Sequence, residues 1–193
     1  MKKIPTLFIR EYENNKVVRV VDEFTNDECK RALLEGKATI KFDGSCCTVI
    51  DGKFYKRYDA KRGKPVPQGA IKCQEEADAI TGHFPCWVEV QTENPADRWF
   101  IAAYEKYEKE YGKPKDGTYE AIGKHFQGNP YNYDYDTLVP HGEDISILEE
   151  RTFKGIKEWL SKAPQEGLVF WLDGKPVCKI KRRDFGFKWP TTK

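Results

Sequence analysis

The sequence predicts an α+β fold of mainly antiparallel sheets with flanking helices, in one domain over residues 1–193. Three observations carry this reading. Strand-like runs outnumber helical ones, neighbouring strand runs are joined by tight turns instead of helical crossovers, and no internal repeat, low-complexity tract or linker sets off a second core. A length of 193 residues suits one such core, and the tight turns argue against a doubly wound nucleotide fold.

Residues 7–13 and 17–21 flank Asn14-Asn15, with β-branched residues on the second limb, so a hairpin opens the domain. Thr25-Asn26-Asp27-Glu28 has the form of a capping box and leads into a short helix to about residue 34, which Gly36 stops. Residues 38–42, 46–50 and 53–58 read as a β-meander with Gly44-Ser45 and Asp51-Gly52 as its turns, and Lys41 falls near the end of its first strand. Glycines and prolines at 63, 65, 67 and 69 make 61–70 a loop. A strand at 87–91, a helix near 96–110, a strand at 118–122 and a short strand near Leu138 follow. Phe153, Ile156, Trp159 and Leu160 recur at helical spacing on one face of a segment from about 149 to 162, a core face. Strands at 167–172 and 176–181 close the chain as a hairpin across Asp173-Gly174.

Composition narrows the class of protein. Charged residues are 33% and aromatics 13%, too rich in core formers for a disordered chain and too polar for a lipid-facing one. No stretch nears the roughly 18 apolar residues of a spanning helix, and Met1-Lys2-Lys3-Ile4-Pro5 breaks off before any signal-peptide core, so no membrane partner is expected. Six cysteines (29, 46, 47, 73, 86, 178) form no Cys-x-x-Cys pair. Reduced thiols in a cytosol or nucleus are therefore expected, not a zinc site or a disulfide scaffold. The net charge of +2 hides a pattern: residues 1–65 hold 15 Lys and Arg against 10 Asp and Glu, residues 66–150 hold 7 against 17, and residues 151–193 hold 11 against 4. If the basic ends meet, they form a face for phosphates; solvated surface is the alternative.

Five segments carry polar groups that a strand pattern does not require. In Lys41-Phe42-Asp43-Gly44, lysine and aspartate alternate onto one face and glycine allows close approach of the backbone; this suits a nucleophilic lysine or an ordinary strand edge. Residues 56–63 hold Lys56, Arg57, Lys61 and Arg62, a phosphate or ribose contact or a solvated loop. Glu120 stands among apolar strand residues in 117–123, a site or an exposed edge. Glu166 opens an otherwise apolar strand, where a carboxylate can serve Mg²⁺. Lys179 and Lys181 share one face of a strand ahead of Arg182-Arg183, and paired cations neutralise a phosphoryl group. His83 and His141 read as turn histidines that satisfy backbone groups, Cys46 and Cys47 as tight packing, and Tyr131, Tyr133 and Tyr135 as loop packing or base stacking.

The order Lys-x-Asp-Gly, Arg, Tyr-Glu-x-x-Gly, Glu-Gly, Lys-x-Lys resembles motifs I, Ia, III, IV and V of the covalent nucleotidyltransferases, which include polynucleotide ligases and messenger RNA capping enzymes. With Ser45 for Thr, residues 41–47, together with 82–87, 117–123, 128–131, 139–142 and 179–190, resemble the eukaryotic 5′-to-3′ RNA ligase family with a Lys-x-Asp-Gly-Thr-Cys-Cys signature, over about residues 5–190. The resemblance implies an adenylyltransferase domain, unrelated to ATP-grasp folds, with no oligonucleotide-binding-fold domain after it, since the chain stops at Lys193. It implies ATP and Mg²⁺ or Mn²⁺ as cofactors, RNA with 5′-phosphate and 3′-hydroxyl ends as partner, and lysyl-AMP and adenylylated RNA as intermediates.

Carried over by position, Lys41 would be the nucleophile, Asp43 would assist ribose and metal-water positioning, and Arg57 would contact ribose or the RNA 5′-phosphate. Glu120 would bind ribose or metal-bound water, Glu166 would support the metal, and Lys179 and Lys181 would hold the α-phosphate. Arg57, Arg62, Arg182 and Arg183 would add RNA contacts. Residues 137–140 offer no aromatic to stack on adenine. A capping-type guanylyltransferase and a non-catalytic RNA-binding module are the competing expectations.

Overall fold

The structure is a computed structural model, which describes residues 2–14, 16–78, 81–146 and 148–191. In chain order it holds β1 (Phe8–Glu13), β2 (Lys16–Phe24), α1 (Asp27–Glu35), β3 (Lys37–Lys41), β4 (Ser45–Ile50), β5 (Lys53–Ala60), β6 (Ile71–Lys72), β7 (Phe84–Glu89), α2 (Arg98–Tyr111), β8 (Gly117–Gly123), β9 (Asp136–Pro140), α3 (Phe153–Lys162), β10 (Gly167–Leu172) and β11 (Lys175–Lys181). All strand pairings between these elements are antiparallel, which makes the fold α+β with mostly antiparallel sheets and three α-helices among the described residues. No helix among these residues is long and apolar enough to cross a membrane.

The chain forms two compact units, Met1–Lys3 with Asp43–His141, and Ile4–Phe42 with Gly142–Lys193. The second unit contains the hairpin β1-β2 and a three-stranded sheet in the order β11-β10-β3. Its core gathers Leu7, Phe8, Leu33, Ile156, Leu160, Leu168, Phe170 and Ile180, with Phe153 and Trp159 packed alongside, so the apolar face of α3 is core as the sequence predicts. The two ends of the chain meet here, Leu7 donating to Lys179 and Lys179 to Pro5 through the backbone at 2.7 and 3.1 Å, but residues 4–42 hold seven Lys and Arg against seven Asp and Glu, so the basic excess of the first end lies outside this unit. The first unit contains a six-stranded sheet in the order β6-β7-β5-β4-β8-β9, with a core of Cys47, Val49, Ala103, Tyr119, Ala121, Phe126 and Leu138 under α2.

Several local expectations are corrected. The meander fails at its first strand, because β3 pairs with β10 while β4 pairs with β5 and β8. Gly44 is not a hairpin turn; a Cβ there would lie 2.2 Å from the Ala121 carbonyl oxygen and 2.9 Å from Glu120 Cγ, so the glycine serves close backbone approach. Helix α1 is capped by Asn26, whose Oδ1 accepts from the Cys29 N–H at 2.8 Å, while Thr25 Oγ1 donates to the Thr6 carbonyl at 2.6 Å. Helix α3 starts at Phe153 because Thr152 Oγ1 accepts from the Gly155 N–H at 3.0 Å, leaving 149–152 outside it. Strand β7 lies three residues earlier at its start than expected, and β6 was not anticipated. The closing hairpin turns at Asp173 and Gly174 with φ of 48° and 72°, as the Asp-Gly signal predicts. The opening hairpin is present, with Asn14 at φ 49°, but Asn15 of its predicted turn lies outside the described residues.

Candidate functional site

The predicted residues fall into two clusters, one in each unit. In the second unit, strand register builds the first. Gly167 opens β10 opposite Lys41 of β3 on one side and opposite Lys181 of β11 on the other. Directly opposed residues share a face of a sheet, and Lys179, two positions from Lys181, shares it too. Glu166, just ahead of β10, closes the arrangement: its Oε2 lies 2.5 Å from Lys41 Nζ and its Oε1 2.7 Å from Lys181 Nζ. Position 167 must be glycine, since a Cβ would meet the Ile180 carbonyl oxygen at 2.1 Å and Lys181 Cα at 3.0 Å.

Two ammonium groups on one carboxylate, with Lys179 on the same strand face as Lys181, leave net positive charge, a setting for an anion. Burial pushes the Glu166 carboxyl up, but the charges of Lys41 and Lys181 outweigh it and hold the group below its usual range. Lys179 is pushed down to about 8, by burial first and then by the like charges of Lys181, Lys41 and Arg10. The end of β11 is pinned by buried Asp184, whose Oδ2 accepts from the Lys181 N–H at 2.8 Å while Oδ1 takes the Arg10 guanidinium at 2.7 Å. The sequence reading missed Asp184 and Arg10; the Arg-Asp-Phe that follows Arg182 gave no spacing signal for a cap.

In the first unit, β4 sets Cys46 opposite Glu120 of β8. Glu120 Oε1 accepts from the Gly44 N–H at 3.1 Å, and its Oε2 lies 2.9 Å from His141 Nε2. The Asp43 N–H donates to the Tyr131 hydroxyl at 2.6 Å, so Tyr131 anchors the backbone beside the signature segment. Arg57 on β5 donates from Nε to Asp59 Oδ1 at 2.8 Å; burial opposes its charge, but Asp59 outweighs it and raises the guanidinium further. Its charge also reaches Cys46, whose thiol is pushed up to about 12 by burial and by Glu120. Tyr133 and Tyr135 stack with centroids 5.2 Å apart.

Two expectations about side chains are corrected. His141 does not merely satisfy a turn, because its ring holds Glu120. Arg182 is 7% exposed and turned inward: it donates to the Leu160 carbonyl, to the Ala163 carbonyl at 2.5 Å and to the Lys188 carbonyl at 3.1 Å, capping the end of α3 instead of offering a cation to RNA. Arg183 is exposed and donates to the Trp189 carbonyl at 3.0 Å, and Arg62 is exposed with its stem beside Gly82. Compared with protein-family models and with curated proteins, the chain matches none.

Proposed function

We propose that the protein is an ATP-dependent RNA ligase with a covalent nucleotidyltransferase domain, sealing 5′-phosphate to 3′-hydroxyl ends. The observation that carries this reading is the convergence of Lys41 and Lys181 on Glu166 beside a side-chain-free glycine, with Lys179 on the same strand face as Lys181. A triphosphate is the anion such a cluster suits, and one of its lysines must then act as more than a counter-charge. In the proposed first step, Lys41 Nζ attacks the α-phosphorus of ATP, a nitrogen–phosphorus bond forms, and the bond to pyrophosphate breaks with its electrons leaving on pyrophosphate. Glu166 Oε2, 2.5 Å from Nζ, can accept the proton that Lys41 sheds. Lys179 and Lys181 hold the α-phosphate oxygens as charge moves. An RNA 5′-phosphate oxygen then displaces Lys41 from phosphorus, and a 3′-hydroxyl displaces AMP to form the phosphodiester. Asp43, Arg57 and Glu120 are assigned to ribose and phosphate contacts, and Arg57, Arg62 and Arg183 to the RNA backbone.

Glu166 does not fit the metal role expected from the sequence. Both of its oxygens are engaged by ammonium groups, and a divalent cation would have to displace one of them against like charge. No step is therefore assigned to a metal. The test is sealing of a 5′-phosphorylated RNA with ATP: the parent should ligate and Lys41→Ala should not. Equal sealing by Lys41→Ala would overturn the reading, and covalent labelling from GTP in preference to ATP would favour the guanylyltransferase. Salt-sensitive RNA binding without covalent nucleotide would favour the binding module.

A further inference from the structure

We propose that Cys46, Glu120 and His141 form a binding site for a zinc-like transition-metal ion, with one coordination position left open. Their donor atoms, a thiol sulfur, a carboxylate oxygen and an imidazole nitrogen, all lie within 4.8 Å of one another. Bonds of about 2.0–2.3 Å to a single ion span such a set after small side-chain rotations. The three ligands come from separate strands brought together by pairing. Cys46 of β4 stands opposite Glu120 of β8, and the backbone N–H of His141 donates to the Thr118 carbonyl at 3.0 Å, extending the β8-β9 ladder one residue past Pro140.

A second observation points to a missing partner. His141 Nδ1 is buried and meets no hydrogen-bond partner among the described residues. Buried polar atoms are seldom left so; Nε2, 2.9 Å from Glu120 Oε2, is the nitrogen on the side of the cluster and the one that would take the ion, with Nδ1 left to carry the proton. The donor set decides the metal: thiolate and imidazole select zinc, cobalt or copper, whereas Mg²⁺ and Ca²⁺ prefer oxygen alone. Binding would form a sulfur–metal bond, and a thiol proton would leave to solvent. The absence of a Cys-x-x-Cys pair argues against zinc in the sequence, but ligands at 46, 120 and 141 have no short spacing to recognise. On the ligase reading, a filled site would also draw Glu120 away from ribose; that consequence rests on the reading, while the site itself does not.

The probe is Co²⁺ alone, added without nucleotide to the full chain, so that failure of the site leaves the ligase reading untouched. The parent should show a thiolate-to-cobalt band in the near ultraviolet that saturates at about one equivalent and is bleached by Zn²⁺ but not by excess Mg²⁺. Cys46→Ser should lose the band, Cys73→Ser should keep it, and His141→Asn should weaken cobalt binding by about tenfold or more. No thiolate band from the parent would overturn the site, as would an undiminished band from a Cys46→Ser protein with parental circular dichroism.

Discussion

Glu166 is 4% exposed and answers to two lysines at once, so its charge is the hinge of the anion cluster. Replacing it with glutamine leaves two partly buried ammonium groups uncompensated, a loss on the order of 2 kcal/mol that urea unfolding should register. Gly167→Ala changes no charge but drives a Cβ to 2.1 Å from the Ile180 carbonyl, displacing Lys181 relative to Lys41. Covalent labelling by ATP should fall by about a hundredfold, as small misplacements do, with every titrating group still present. Lys179 gives a pH test. Its folded value of about 8 lies below the ordinary 10.5, so between these values the unfolded chain holds the extra proton and stability rises with pH. Urea midpoints measured from pH 8 to 10.5 should show that slope in the parent and less of it in Lys179→Met. The identities of Lys41, Glu166, Lys179 and Lys181 were legible in the sequence as motif residues. The meeting of Lys41 with Glu166 and Lys181 beside Gly167 was not, because it depends on a register between β3 and β10, strands more than a hundred residues apart.

Among the elements, α3 shows where patterning suffices and where it stops. Its apolar face was readable from Phe153, Ile156, Trp159 and Leu160, but its start was set by the Thr152 cap and its end by a guanidinium from Arg182, 22 residues beyond Leu160 in sequence and unseen by periodicity. Thr152→Ala should cost about 1 kcal/mol in chemical denaturation. Arg182→Ala should cost more, about 3 kcal/mol, since it strips a buried donor from three carbonyls, while Arg183→Ala should leave stability unchanged. Equal effects of the two substitutions would refute the division of labour between them. Strand β3 teaches the same lesson differently. Its residues were recognisable as a strand, yet Gly44-Ser45 imitates a hairpin turn, and only the pairing with β10 removes β3 from the meander.

For the whole molecule, a net charge of +2 says little, and residues 4–42 carry no net charge, but β3 and β11 both contribute lysines to one sheet. On the proposed reading that sheet would hold the nucleotide, and the exposed Arg62 and Arg183 would contact the RNA backbone. RNA binding should weaken as salt rises, and alanine at either arginine should lower the salt slope by about one. The α+β class and its antiparallel sheets were legible from turn chemistry and strand content; the division into two compact units was not, because the polypeptide passes between them within the signature segment at Phe42-Asp43 and again at His141-Gly142, where no linker composition marks the change. The most direct test is the intact mass of the denatured chain after incubation with ATP and a divalent metal, followed by peptide mapping. The account predicts one added AMP, acid-labile and located on Lys41, and absent from Lys41→Ala. An unmodified chain from folded, initially nucleotide-free protein, or AMP on any other residue, would contradict it.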